Sequence, residues 1–148
     1  MKMYLFFLGF LFLQCQSQNG LRSAAQAQKV MFEDRIHYSF SLTARDFLII
    51  DSQEKMDSIF ADIHQKSNGK RLSPIPAVIP GETYIIVQPE LKNSNDVQIN
   101  DIILDRNILI LKIKPFDNPE FGRNSRSKPS ILLKLKGNIQ FKNIQWIN

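Results

Sequence analysis

A single cysteine, Cys15, in 148 residues removes any intrachain disulfide, so packing alone must hold the fold together even in an oxidising compartment. There are only two histidines, His37 and His64. A metal centre wants three or four converging His, Cys, Asp or Glu groups, and only Asp62 lies near His64, so both histidines are expected at the surface and neither a metal nor a cofactor is expected. The six glycines are scattered and form no phosphate-cradling loop. No serine sits in a G-x-S-x-G or S-x-x-K arrangement, which leaves a serine hydrolase without local support. The carboxylate pairs Glu33-Asp34 and Asp101/Asp105 have no evident partners and read as solvated groups. No catalytic residue is assigned, and the chain is expected not to be an enzyme; a small hydrolase with an unrecognised site is the alternative left open.

What is present begins at the N-terminus. Lys2 precedes an apolar run of eleven residues, Met3 to Leu13, followed by the polar Gln14 and then Cys15. That is the layout of a bacterial export signal, and the run is too short for the ~20 residues a membrane-spanning helix requires. Two processing routes fit. Cys15-Gln16-Ser17 supplies the small residues of a secretory cleavage site, which would release a chain beginning at Gln18. The segment also resembles the signals of bacterial lipoproteins. In that family the cysteine after the apolar run is acylated and becomes the first mature residue, ahead of a polar tether such as Gln16-Ser17-Gln18-Asn19-Gly20. The sequence departs from the family at Gln14, where a small residue is usual. Cys15 is thus the candidate lipid-attachment site, and the expected address is extracytoplasmic: lipid-anchored to the cell envelope, or soluble in the periplasm or medium. Export argues against nucleic acid as a partner despite a pI near 9.4.

Residues 1–17 are therefore read as signal, 18–29 as a polar tether and 30–148 as one domain, since roughly 130 residues suit a single core. Within it, Ile36, Tyr38, Phe40 and Leu42 alternate with His37, Ser39, Ser41 and Thr43, predicting a half-buried strand. Phe47 to Ile50 reads as a buried strand. Asp51 with Glu54 predicts a helix start, and Met56, Ile59, Phe60 and Ile63 fall on one face of a helix near Ser52 to Lys66, stopped by Asn68-Gly69. Strands are predicted over Thr83 to Gln88, Val97 to Leu104 and Ile108 to Lys114, the last two as a hairpin turning at Asp105-Arg106-Asn107. A long irregular loop from Pro115 to Pro129 precedes strands at Ser130 to Lys136 and Ile139 to Ile147. The expected fold class is α+β, a mainly antiparallel sheet with one amphipathic helix packed on a face.

From about Phe47 to Leu135 the order of elements resembles the PrcB-type domain, a family of small exported bacterial domains named after a protease-complex subunit. The residues that carry the resemblance are Phe47 to Ile50, the helix with Gln53-Glu54-Lys55-Met56, the strand Tyr84-Ile85-Ile86-Val87, and Lys128-Pro129-Ser130-Ile131-Leu132-Leu133. A Thr-Gly-Gly-Tyr stretch common in the family has no counterpart, because Lys92 to Val97 contains no glycine. The resemblance implies a non-enzymatic accessory or binding domain that docks on an envelope protein, possibly a protease, and transfers no site residue.

Charge is polarised along the chain. From Lys112 onward the net charge is +6, against −2 for residues 15 to 111. Alternation places Lys112 and Lys114 on one side of their strand and Lys134 and Lys136 on one side of theirs. Together with Arg123, Arg126 and Lys128 they are expected to form a ridge that attracts an anionic envelope component, a lipid head group or a polysaccharide. The alternative reading, which the sequence favours, is that the same lysines form a solvated face and keep exposed strands from pairing with other chains.

Overall fold

The computed structural model describes residues 27–67, 73–121 and 128–148. The export signal with Cys15, most of the expected tether, the Asn68-Gly69 stop, Arg123 and Arg126 lie outside the described residues. In chain order the elements are β1 (Gln28–Lys29), β2 (Phe32–Tyr38), β3 (Phe47–Ile50), α1 (Gln53–Lys66), β4 (Glu82–Val87), β5 (Asp96–Asp105), β6 (Ile108–Phe116), β7 (Ser130–Lys136) and β8 (Asn143–Ile147). The α+β class expected from the sequence is the class observed, mainly β with one helix.

The strands form two four-stranded sheets, one ordered β1-β5-β6-β8 and the other β2-β7-β4-β3. Every pairing is antiparallel except β6 with β8. The second sheet is central. Its Ile85, Val87, Ile131, Leu133 and Leu135 pack against Val97, Ile99, Ile102, Leu109, Leu111 and Ile113 of the first, outer sheet. Its opposite side presents Ile50, Tyr84, Ile86 and Leu132 to Met56, Ile59, Phe60 and Ile63 of the helix. The central strands are therefore apolar on both sides, as Tyr84-Ile85-Ile86-Val87 and Ile131-Leu132-Leu133 require. Among the described residues the outer sheet is covered on one side only.

Local chemistry fixes the elements. The helix starts one residue later than predicted: Ser52 is the cap, its side chain accepting from the Lys55 amide at 3.2 Å, while Asp51 instead reaches the Lys55 ammonium at 3.6 Å. All four residues of its apolar stripe are buried, and full burial of Phe60 is worth about 1.5–3 kcal/mol relative to exposure. In β5 an irregularity at Asn100 shifts the register between Ile99 and Asp101, which lets Val97 and Ile99 and then Ile102 all face the core. The β5–β6 hairpin closes where Asp105 faces Ile108, and Arg106 adopts a φ of +55° to make that tight turn.

Three expectations need correction. The alternating strand predicted through Thr43 ends at Tyr38, because Gln88 captures the backbone beyond it. The Gln88 Oε1 accepts from the Leu42 amide at 2.8 Å and the Thr43 amide at 3.2 Å, and its Nε2 donates to the Thr43 and Arg45 carbonyls at 2.8 and 2.9 Å. The last residues of the expected tether, Gln28 and Lys29, are a strand paired with Leu104 and Ile103, and the Val30 amide donates to the Ile102 carbonyl at 2.8 Å. The final strand begins at Asn143 rather than Ile139. Residues 137 to 142 carry the chain from the central to the outer sheet, with Gly137 at a φ of +100° and the Ile139 amide donating to Thr83 Oγ1 at 2.8 Å.

Candidate functional site

The sequence places Lys112, Lys114, Lys134 and Lys136 on alternating strands, and each pair does share a face. The two pairs do not meet. Lys112 and Lys114 alternate with the buried Leu111 and Ile113 on β6 and so stand on the uncovered side of the outer sheet. Lys134 and Lys136 alternate with Leu133 and Leu135 on β7 and lie on the helix side of the central sheet. Two sheets separate them, so no continuous ridge forms.

The charges also differ in their partners. Lys134 bridges Glu82 at 2.9 Å and Glu33 at 3.2 Å, and these hydrogen bonds, Glu82's above all, hold its ammonium above the ordinary lysine range. The same contact, with Tyr84 donating its hydroxyl at 3.0 Å, holds the Glu82 carboxyl below its usual range. Lys128 lies 3.9 Å from Asp46. Lys112 and Lys114 are exposed and make no ion pair among the described residues. Beside them on the same face are Ile110, partly buried, and Ile108 and Ile147, 37% and 39% exposed; Ile147 pairs directly with Lys112.

His37, expected at the surface, is instead largely enfolded. Its Nδ1 lies 2.6 Å from Asp96 Oδ1, and its Nε2 lies 2.8 and 2.9 Å from the two oxygens of Asp34. Asp96, 1% exposed, also accepts from Asn118 Nδ2 and from the Val97 amide, both at 2.8 Å. Burial alone would lower the imidazole's pKa, but the hydrogen bonds and charges of Asp34 and Asp96 outweigh it and raise it to about 9. Burial would raise Asp96, but its bonds from His37 and Asn118 hold it below the usual carboxylate range. At neutral pH His37 is therefore an imidazolium donating from both nitrogens. It has no lone pair to take a substrate proton, and no described hydroxyl bonds to it. What the cluster does is tie β2 of the central sheet to β5 of the outer sheet and to the 117–121 segment.

The remaining candidates are similarly committed. His64 lies 3.3 Å from the Ser73 carbonyl and meets Phe60 edge-on. Glu33 faces Arg35 at 2.7 Å as well as Lys134. Asp101 pairs with Lys29 at 3.2 Å, and Asp105 lies 3.6 Å from Arg106. Among the described residues no group of three or more His, Cys, Asp or Glu side chains is arranged to hold a metal ion.

One further feature escapes sequence reasoning. The segment from Gln88 to Ser94 and the end of β8 enclose a groove of about 500 Å³ that includes Trp146, Leu91, Ile113 and Pro115. The residues that form it come from separate parts of the chain, from Asp46 to Asn148, and the only sequence cue is the chain's single tryptophan. Comparison with protein-family models, curated proteins and solved structures finds no match to this chain.

Proposed function

We propose that the protein is a non-enzymatic, exported accessory domain that docks on another cell-envelope protein through the open face of its outer sheet. The observation that carries this reading is the pairing of Lys112 and Lys114, which make no ion pair among the described residues although Asp101, engaged by Lys29, lies opposite Lys112 in register, with Ile108, Ile110 and Ile147 on a sheet face that no described element covers. Partly exposed apolar side chains next to unpaired cations suit a partner surface that is apolar at its centre and carries carboxylates at its rim. The committed state of His37 supports a binding role over catalysis, since the most structured polar cluster serves as a sheet-to-sheet tie. The resemblance to the PrcB-type domain supports the same class of partner, an envelope protein such as a protease. The N-terminal signal would bring the domain there, either on a lipid at Cys15 or as a soluble chain cut after Ser17.

Affinity purification from the envelope of the native host tests the reading. The Lys112→Glu/Lys114→Glu variant is compared with wild type and with Lys55→Glu/Lys66→Glu, which makes the same charge change on the helix side. One envelope protein is expected in near-equal amount with wild type and the helix variant, and reduced roughly ten-fold or more with the outer-face variant. Equal recovery with all three overturns the proposed face. Salt-sensitive binding to anionic lipid vesicles with no protein recovered would replace protein docking by the second reading, capture of an anionic envelope component.

A further inference from the structure

The groove beside Trp146 is separate from the docking face. At about 500 Å³ it falls within the roughly 300–1,000 Å³ of small-molecule sites. One wall is well fixed. Trp146 is half-buried and packs against the sandwich core, Pro89 is buried, and Gln88 is held by its bonds to the 41–45 backbone and by Ser130 Oγ at 2.7 Å.

The opposite character appears at the rim. Glu90, Lys92, Asn93, Ser94 and Asn148 all line the groove, and none of their side chains makes a hydrogen bond or ion pair with a described residue. The Trp146 indole N–H likewise has no acceptor among the described residues and is open to solvent. Donors and acceptors are thus mixed around an indole, and the free charges, Glu90 and Lys92, are of opposite sign. Asp46, the other acid of the groove, faces Lys128.

That combination selects a ligand class. A purely apolar ligand would leave the amides and charges without partners, and a strongly anionic one would meet Glu90 and Asp46. A neutral molecule dense in hydroxyls, with an apolar face to lie against an indole, fits both the wall and the rim. We propose that this groove is a saccharide site, in which a short neutral glycan packs a sugar face on Trp146 and hydrogen-bonds through its hydroxyls to Glu90, Lys92, Asn93 and Asn148.

Because the chain has one tryptophan, its emission, excited at wavelengths that the three tyrosines do not absorb, reports on the groove. Titration of the full chain with chitotriose, maltotriose and cellotriose is expected to give a saturable shift with at least one of them. The dissociation constant is expected near or below about 1 mM, the range of weak specific binding, and to be the same at about 50 and about 500 mM salt. Asn93→Ala/Asn148→Ala should weaken it roughly five-fold or more at unchanged melting temperature, and Trp146→Ala should abolish ligand-observed NMR contacts while the amide spectrum stays folded. No saturable shift with any of the three sugars overturns the proposal, as does undiminished binding in both variants. Lys112→Glu/Lys114→Glu should bind the sugar as wild type does, so this site and the docking face stand or fall separately.

Discussion

His37 shows how a residue's role is set by what the chain brings to it. Three positions separate it from Asp34 and 59 separate it from Asp96, yet both carboxylates reach its ring. Its folded pKa of about 9 lies above the unfolded value near 6.5, so the protonated form is favoured by folding. The stabilisation is fully present below pH 6.5 and is lost as pH rises through 9. Discounted for the ring's partial contact with solvent, on the order of 1–3 kcal/mol is at stake. Urea unfolding at about pH 6 and about pH 10 should show that loss in wild type relative to His37→Gln, and an NMR titration of the His37 ring should have its midpoint near 9. A midpoint near 6.5 would mean that the two carboxylates do not hold the ring in solution.

At the scale of elements, Gln88 decides where β2 stops. Its side chain is 2% exposed and satisfies the Leu42 and Thr43 amides, which a leucine cannot do. Gln88→Leu should cost about 2–4 kcal/mol and speed hydrogen exchange of residue 43 roughly ten-fold or more, and of residue 42 less, since Ser130 Oγ also accepts from the Leu42 amide at 3.0 Å, while exchange in the helix changes less still. Unchanged exchange at those amides would remove Gln88 from this role. The same residue explains what could be read in advance. The helix was legible because Met56, Ile59, Phe60 and Ile63 repeat within eight residues, and the β5–β6 hairpin because its turn residues lie between two apolar runs. The strand written into Ile36 to Thr43 was not, since its alternation continues while a glutamine 45 residues away claims its backbone. Period-two spacing also put each lysine pair correctly on one face of its strand. It carries no information on which sheet a strand joins, and β6 and β7 join different ones. The Trp146 groove was hidden for the same reason.

Over the whole molecule, three layers leave two unlike surfaces: a helix over one side of the central sheet, and an open outer sheet on the other. Lys134 is neutralised by Glu33 and Glu82 on the helix side, where Lys136 makes no ion pair among the described residues, while Lys112 and Lys114 stand without one on the open face beside Ile108, Ile110 and Ile147. The two surfaces differ in cover rather than in charge alone: among the described residues no element lies over the open face of the outer sheet, and the docking reading rests on that. A photo-crosslinking amino acid placed at Ile110 on the open face, and separately at Ala61 on the exposed side of the helix, tests this most directly in intact envelopes. One discrete cross-linked envelope protein from position 110, and none from position 61, is the predicted result. The same adduct from both positions, or an adduct from position 61 alone, would contradict it.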